Sequence, residues 1–331
     1  MTAARSGKLV VLTDGTVYPE AVERLRQRAT VRILDGYPGE AALTEACRDA
    51  DAILARLGVV TRGVIEAAPT LRIIARHGAG SDGVDLATAT ARGVVVTTTG
   101  PANAGAVAEY TFALLLGWMR KVPAADAGMR DGQWSRDPLI GDALEGRTVG
   151  IVGCGAVGTR VARIAQGFGM HVLATEPGRA DVAPALVPAV PLRELLRRSD
   201  IVSLHLRLTP DNAGIIDADA LAAMKPGAVL VNTARGELVD EPALIAALRS
   251  GHLAGAALDT YAVEPLPPTS ELRRMAQVLL SPHVAGQTRE ALLRVGLAAV
   301  QAILDEFDGR RPAFVVNPEA YAARRHAGAR E

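Results

Sequence analysis

The sequence predicts an α/β protein of two doubly wound parallel-sheet domains. Three observations carry this. Short runs rich in Val, Ile and Leu recur along the 331 residues with helical patterns between them, and strands alternating with helices build parallel sheets covered on both faces. The runs lack strict polar alternation, as strands buried on both sides do. There are two such series, one before and one after a glycine turn at residue 153, in a chain long enough for two domains of ordinary size.

In the first series, strands are expected at 8–13, 30–34, 52–55, 72–75 and 93–96, separated by helices at 19–28, 40–47, 61–67 and 86–91. In the second, strands are expected at 149–152, 171–174, 201–204, 228–232, 255–259 and 277–280. Residues 102–120 read as a long helix whose interior carries only the charge of Glu109. Residues 121–146, with Pro123, Gly128, Gly132, Trp134, Pro138 and Gly141, read as an irregular excursion. Residues 288–307 form another helix, ended by Asp308-Gly309 and Pro312. The Ala- and Arg-rich end, 320–331, is expected to fray.

Composition narrows the function classes. Hydrophobic residues make up 49% but aromatics only 3%, so the core must be Val, Leu, Ile and Ala. Lys plus Arg equals Asp plus Glu at 36 each, which points away from nucleic acid and membrane surfaces. Residues 1–8 are polar and lack a signal-peptide apolar region. The longest uncharged apolar run, 112–119, is too short to span a bilayer. Cys47 and Cys154 are far apart and read as neither a disulfide nor a metal pair. A cytoplasmic protein without a metal is the expectation.

The glycine turn carries the first chemical signal. The strand 149–152 breaks into Gly153-Cys154-Gly155-Ala156-Val157-Gly158 and then a helix, and Glu176 stands 18 residues beyond Gly158 at the end of the next strand. A G-x-G-x-x-G in that context, with an acid about 20 residues on, is a dinucleotide-binding fingerprint. Gly153 would make the tight turn, Gly155 would let the backbone approach a pyrophosphate, and Gly158 would let helix and strand pack closely. The pyrophosphate would sit on the free N–H groups of the helix start, with Ala156 and Val157 in its first turn. Glu176 would accept from the adenosine ribose hydroxyls.

Three polar motifs follow, each at the end of an expected strand: Asn232 to Asp240 with Thr233, Ala234 and Arg235; Asp259 to Pro265 with Glu264; and Ser281 to Gly286 with His283. Open α/β sheets bind ligands at the carboxyl ends of their strands. Hydride transfer to a keto acid needs a cation for the carboxylate and an acid–base for the oxygen. Arg235 offers a planar, bidentate fork. His283 exchanges a proton near neutrality. Glu264 beside it would stabilise the imidazolium and keep a proton available.

These motifs, together with Leu204-His205, Leu208-Thr209-Pro210 and Met224-Lys225-Pro226-Gly227, resemble those of the D-2-hydroxyacid dehydrogenase family over about residues 8–318. The resemblance implies a Rossmann cofactor domain (103–286) inserted in a flavodoxin-like substrate domain (1–102 and 287–331), with NAD as cofactor and a 2-keto or 2-hydroxy acid as substrate. It assigns substrate binding to Arg235, acid–base work to His283 and support of the His to Glu264. It places His205, Thr209, Thr233, Ala234, Asp259 and Gly286 with the glycine turn around the cofactor, Asp259 toward the nicotinamide amide. Arg76 to Asp85 resembles the family's substrate loop, so Arg76, Gly78, Ala79 and Gly80 are assigned to the substrate, the carboxylate falling on the Ala79 and Gly80 amides; free N–H groups in a loop are also an anion nest on physical grounds. Asn103 matches the entry to the family's long linking helix. The resemblance also implies a homodimer formed through 102–146.

This chain departs from the family in places. Arg207 stands where proline is common, near the expected adenine site. The ribose acid is Glu176 rather than Asp and Pro101 sits one place from the usual proline; a regulatory domain after residue 331 is not expected. Other readings compatible with the same motifs are an NAD-sensing corepressor-like regulator, disfavoured by the absence of basic patches, and a phosphite dehydrogenase. Formate oxidation is disfavoured by Glu264, where formate dehydrogenases carry Gln.

Overall fold

The computed structural model describes residues 7–37, 39–177 and 187–328. The chain divides into two compact units, one of Met1–Asn103 with Gln287–Glu331 and one of Ala104–Gly286. Asn103 falls in the first unit rather than at the start of the second, because the long helix begins at Ala104.

In the first unit, β1 (Leu9–Leu12), β2 (Thr30–Ile33), β3 (Ala52–Ala55), β4 (Ile73–Arg76) and β5 (Val95–Thr97) form a parallel sheet in the order β2-β1-β3-β4-β5. This is the flavodoxin-like order. Alternate residues serve opposite faces. Val10, Leu12, Leu54 and Ile73 pack with helices Pro19–Arg26 and Arg289–Phe307, whereas Leu9, Val11, Ile53 and Ile74 pack with residues of Glu40–Cys47 and Arg62–Glu66. Each fully buried aliphatic side chain stabilises the unit by about 1.5–3 kcal/mol.

In the second unit, β6 (Thr148–Val152), β7 (His171–Thr175), β8 (Ile201–Leu204), β9 (Ala228–Asn232), β10 (Leu253–Leu258) and β11 (Val278–Leu280) form a parallel sheet in the order β7-β6-β8-β9-β10-β11. Its chain crosses over after the second strand, one strand sooner than in the full Rossmann order. The glycine turn follows β6, which lies between β7 and β8, at the switch point where ligands bind. One face packs on Ala104–Met119 and Ala156–Gly167 through Phe112, Leu115, Val161 and Ala165, and the other through Leu195, Leu221, Leu244 and Leu248. That Ala104–Met119 carries no charge but Glu109 is thereby explained within the unit: nine of its 16 residues are buried.

Two expectations need correction. Residues 121–146 contain a helix, Val122–Arg130, and a 3₁₀ turn, Asp137–Leu139. Pro123 starts that helix instead of breaking it, as a proline in a first turn does, and no residue of it is buried, so no apolar stripe marks it. The C-terminal segment does not fray through its Ala/Arg stretch but forms Ala320–Gly328. Its Ala320 is buried, and Arg324 donates to the Glu306 carboxylate and to the carbonyls of Gly93 and Arg72.

Candidate active site

The glycine turn has three differently occupied positions. Gly153 has φ +98°, and a Cβ there would meet the His205 carbonyl carbon at 2.7 Å, so only glycine lets β6 turn against the strand end beside it. A Cβ on Gly158 would lie 2.0 Å from the Gly153 oxygen. Around Gly155, by contrast, nothing lies within 4 Å of an added Cβ. Gly155 and Ala156 are exposed and Val157 is half-buried, and no side chain caps helix Ala156–Gly167, which starts there. The first-turn N–H groups and the positive end of the helix dipole therefore face open space.

Glu176 follows β7, and its Oε2 accepts the Cys154 N–H at 2.6 Å, which fixes the carboxylate beside the turn. Burial, with the Glu176 charge added, pushes the Cys154 thiol up to about 11, so it stays a neutral filler. His205 follows β8. Its N–H donates to Val152 O at 2.7 Å, its Nε2 lies 2.8 Å from Ser203 Oγ, and burial pushes its pKa down to about 3. Thr209 caps the 3₁₀ turn Pro210–Asn212, and Arg207 is exposed. Arg179, three residues past Glu176 in the sequence and a second candidate partner for a 2′-phosphate, lies outside the described residues.

The loops after β9, β10 and β11 carry the three polar candidates, and buried polar groups stitch these loops together. After β9, Asn232 accepts the Ala234 N–H at 3.0 Å and donates to Arg235 O at 2.8 Å, which folds the chain back so that Arg235 leaves the strand end half-buried. Thr111 gives its hydroxyl hydrogen to Val107 O, so Thr233 is the donor in the 3.0 Å contact between the two threonines. Asn232 O accepts the Asp259 N–H at 2.9 Å. Asp259 has no exposed surface. Its carboxylate accepts from Ser281 Oγ at 2.6 Å, Val284 N at 2.9 Å and Ala285 N at 2.8 Å, and its carbonyl accepts from His283 N at 2.8 Å. Asp259, placed at the nicotinamide by resemblance, is thus the clamp that seats the His283 loop. Gly286 ends that loop and the unit.

His283 takes φ +54°, a backbone conformation costly for most side chains but one that histidine visits more than most. Its Nδ1 lies 2.7 Å from Glu264 Oε2, and the ring is about half exposed. The other carboxylate oxygen, Oε1, accepts the Tyr261 N–H at 3.1 Å. Burial pushes the Glu264 carboxyl up, but the His283 hydrogen bond and charge, the Tyr261 N–H and the Arg235 charge outweigh it and hold it below the ordinary glutamate value. Asn232, Tyr261 and Ser281 are site-building residues outside the expected set. Their signal was a polar side chain at the end of an otherwise apolar strand.

In the first unit, Arg76 Nε donates to Gly80 O at 3.3 Å, which curls the loop after β4. Gly78 O accepts the Thr99 N–H. Ala79 is exposed and Gly80 half-buried; among the described residues neither N–H has an acceptor. Asn103, half-buried, ends the first of the unit's two segments.

Residues 112–285 match the NAD binding domain of the D-isomer specific 2-hydroxyacid dehydrogenases. The chain belongs to this family. A D-3-phosphoglycerate dehydrogenase of Mycobacterium tuberculosis is 42% identical over 297 residues, 89% of this chain but 56% of the relative, so the chain spans about half the length of that protein. A glyoxylate reductase of Aeropyrum pernix is 39% identical over 95% of this chain and 97% of its own. The structure of an NADPH-dependent glyoxylate/hydroxypyruvate reductase from Sinorhizobium meliloti, in complex with NADP and malonate, has a TM-score of 0.86 at 32% identity and covers 95% of this chain and 98% of its own. The residues present fit NAD, the cofactor of the family's domain: the space at Gly155 is what a Cβ would fill, the helix behind it is uncapped, and a fixed carboxylate stands at the end of β7. Among the described residues, no group of His, Cys, Asp and Glu is arranged to hold a metal ion, and no helix is long and apolar enough to cross a membrane.

Proposed function

We propose that this chain is an NAD-dependent dehydrogenase that interconverts a 2-keto acid and a D-2-hydroxy acid. The observation that carries the proposal is the 2.7 Å Glu264–His283 pair, with the Arg235 charge beside it, on the same strand ends as the open glycine turn. NAD, when bound, supplies the redox chemistry. The chain's own groups do the rest. Glu264 fixes Nδ1 of His283, so Nε2 is the ring nitrogen left to give a proton to the keto oxygen or take one from the alcohol. Arg235 and the Ala79 and Gly80 amides are assigned to the substrate carboxylate, and Gly153, Gly155, Ala156, Val157, Gly158, Glu176, His205, Thr209, Thr233, Ala234 and Gly286 to the cofactor side.

A small keto acid of the glyoxylate or hydroxypyruvate type is favoured, because relatives matched along most of their length are named glyoxylate reductase and a neighbouring structure is that of a glyoxylate/hydroxypyruvate reductase. The test is NADH oxidation with a panel of glyoxylate, hydroxypyruvate, 3-phosphohydroxypyruvate and pyruvate. No turnover with any of them would overturn the proposal.

The same proposal includes a homodimer. Its support is four exposed apolar side chains within residues 122–140, Val122, Met129, Trp134 and Ile140, the last two 74% exposed, since large apolar side chains gathered in one exposed segment mark interaction sites. Solution scattering at micromolar concentration should give twice the monomer mass, and a monomer mass would remove it.

A further inference from the structure

Tyr261 sits where the three site loops meet. Its backbone N–H donates to Glu264 Oε1 at 3.1 Å. Its hydroxyl lies 2.9 Å from Ser281 O and 3.1 Å from Leu258 O, and accepts the Ser281 N–H at 3.2 Å. Its carbonyl carbon lies 1.9 Å from where a Cβ on Gly236 would stand, so the Arg235 loop can lie against it only because residue 236 is glycine. The ring is 6% exposed. One side chain thus joins the ends of β10 and β11, while its main chain touches the Glu264 carboxylate and the Arg235 loop.

We propose that Tyr261 is a positioning residue for the acid–base pair, its hydroxyl locking the Ser281 loop to β10 so that His283 stays within hydrogen-bond distance of Glu264. The inference rests on the proposed acid–base role of His283. The path is short. Ser281 stands two residues before His283, its Oγ donates to Asp259, and Asp259 O holds the His283 N–H. Without the hydroxyl, the Ser281 N–H keeps its bond to Leu258 O at 2.9 Å, but the loop loses its link to the Tyr261 ring. Burial pushes the phenol up to about 12, so it remains a neutral donor throughout the working range. The charged groups facing it are Asp259, Glu264 and Arg273, and Arg235 also faces Glu264.

Tyr261→Phe removes the hydroxyl alone. A loosened pair lets His283 lose its proton at lower pH, so the basic limb of the kcat profile for keto-acid reduction should move down by roughly half a unit to one unit. Turnover should fall on the order of tenfold, part of the usual worth of a general acid, with KM for NADH within about twofold. In a Glu264→Gln background the same substitution should add little, because the pair it positions is already gone. Ser281→Ala, which frees the same loop from Asp259, should shift the limb in the same direction and serves if Tyr261→Phe fails to fold. NMR titration of the His283 ring gives a readout independent of turnover: its midpoint should be lower in either variant. A wild type that reduces no 2-keto acid would sink the proposed function while this titration still decides the role of Tyr261. Unshifted titrations and limbs in folded variants, with only the melting temperature lowered, would overturn it and leave a structural tyrosine.

Discussion

The two units present the same kind of edge and use it in opposite ways. Each is a parallel sheet with polar residues at the carboxyl ends of consecutive strands. In the first unit these are Asp14 after β1, Arg56 after β3, His77 after β4 and Thr99 after β5. In the second they are Asn232 and Arg235 after β9, Asp259 and Glu264 after β10, and Ser281 and His283 after β11. On the first edge the titratable side chains are turned inward and only the backbone of the Ala79-Gly80 loop is offered outward. Arg56 is spent on Thr16 and on Asp14 at 3.5 Å, burial pushes His77 down to about 4 with the Arg56 charge adding to it, and Asp14 Oδ2 and His77 Nε2 have no hydrogen-bond partner among the described residues. On the second edge the side chains of Asn232, Asp259 and Ser281 are hydrogen-bonded within and between the neighbouring loops, and the titratable pair is left at the surface. Burial alone neutralises a histidine; burial of its supports, with the ring exposed beside a carboxylate, makes it usable.

The largest expected effect tests that contrast directly. His283→Ala should lower turnover about 10²- to 10⁴-fold, the usual worth of a general acid–base, with NADH affinity nearly unchanged. His77→Gln should leave the pH profile of kcat where it is. Steady-state kinetics across pH 5–10 on both variants decides; a His283→Ala enzyme with wild-type turnover would remove the assignment.

The next effect concerns stability and belongs to the first unit alone. Glu306, 3% exposed in its side chain, accepts from Arg72 at 3.2 Å and from Arg324. Glu306→Gln leaves both guanidinium groups without their charge partner. Because the arginines are partly exposed, the cost should be about 1–3 kcal/mol, below that of a fully buried broken pair. Urea unfolding measures it, and NADH titration should show binding intact. An unchanged midpoint would mean that the C-terminal helix is held by Ala320 and the backbone contacts instead.

What was legible in the sequence divides along the same line. Strand positions were readable to within two residues because buried parallel strands are continuous apolar runs, as in Ala52–Ala55 and Ala228–Asn232. The glycine turn and the Arg–Glu–His set were readable because each has a motif. The helix Ala320–Gly328 was not, because what fixes it is Arg324 on Glu306 and Gly93, up to 231 residues away. Tyr261 and Ser281 were legible only as polar residues just past apolar strands; their part in the site was not, because a hydroxyl bond that crosses from one strand end to another leaves no local pattern.

Cofactor choice sharpens the comparison at the glycine turn. NADH should be preferred over NADPH by about tenfold or more, on the order of 1.4 kcal/mol, because the Glu176 carboxylate, fixed by the Cys154 N–H, repels a 2′-phosphate and offers it no donor. Arg207 is the opposing group, and the Sinorhizobium meliloti reductase binds NADP on this fold. The ratio of kcat/KM for the two cofactors reads the outcome. Equal values would mean that arginine outweighs the acid, and Glu176→Ala would then leave NADH use almost untouched.

The smallest expected effect is the pH dependence of stability from Glu264. Its folded-state pKa lies below its ordinary 4.5, chiefly because the His283 bond and charge overcome the burial that pushes it up. A carboxyl depressed on folding stabilises the folded protein above its unfolded value and loses that contribution as pH falls through the folded one. The side chain is 36% exposed, so solvent screening holds the effect to a few tenths of a kcal/mol up to about 1 kcal/mol. The melting temperature of wild type minus that of Glu264→Gln should therefore be positive and flat from pH 5 to 6, then shrink as pH drops below about 4.5. On the first edge the window differs: His77, pushed down to about 4 by burial and the Arg56 charge, costs folded stability once pH falls below the ordinary histidine value, so the wild type minus His77→Gln difference should already fall between about pH 6.5 and 4, where the Glu264 difference is still flat at its upper end. A Glu264 difference that grew toward low pH would mean that burial outweighs the His283 partner and that the pair seen at 2.7 Å contributes nothing in solution.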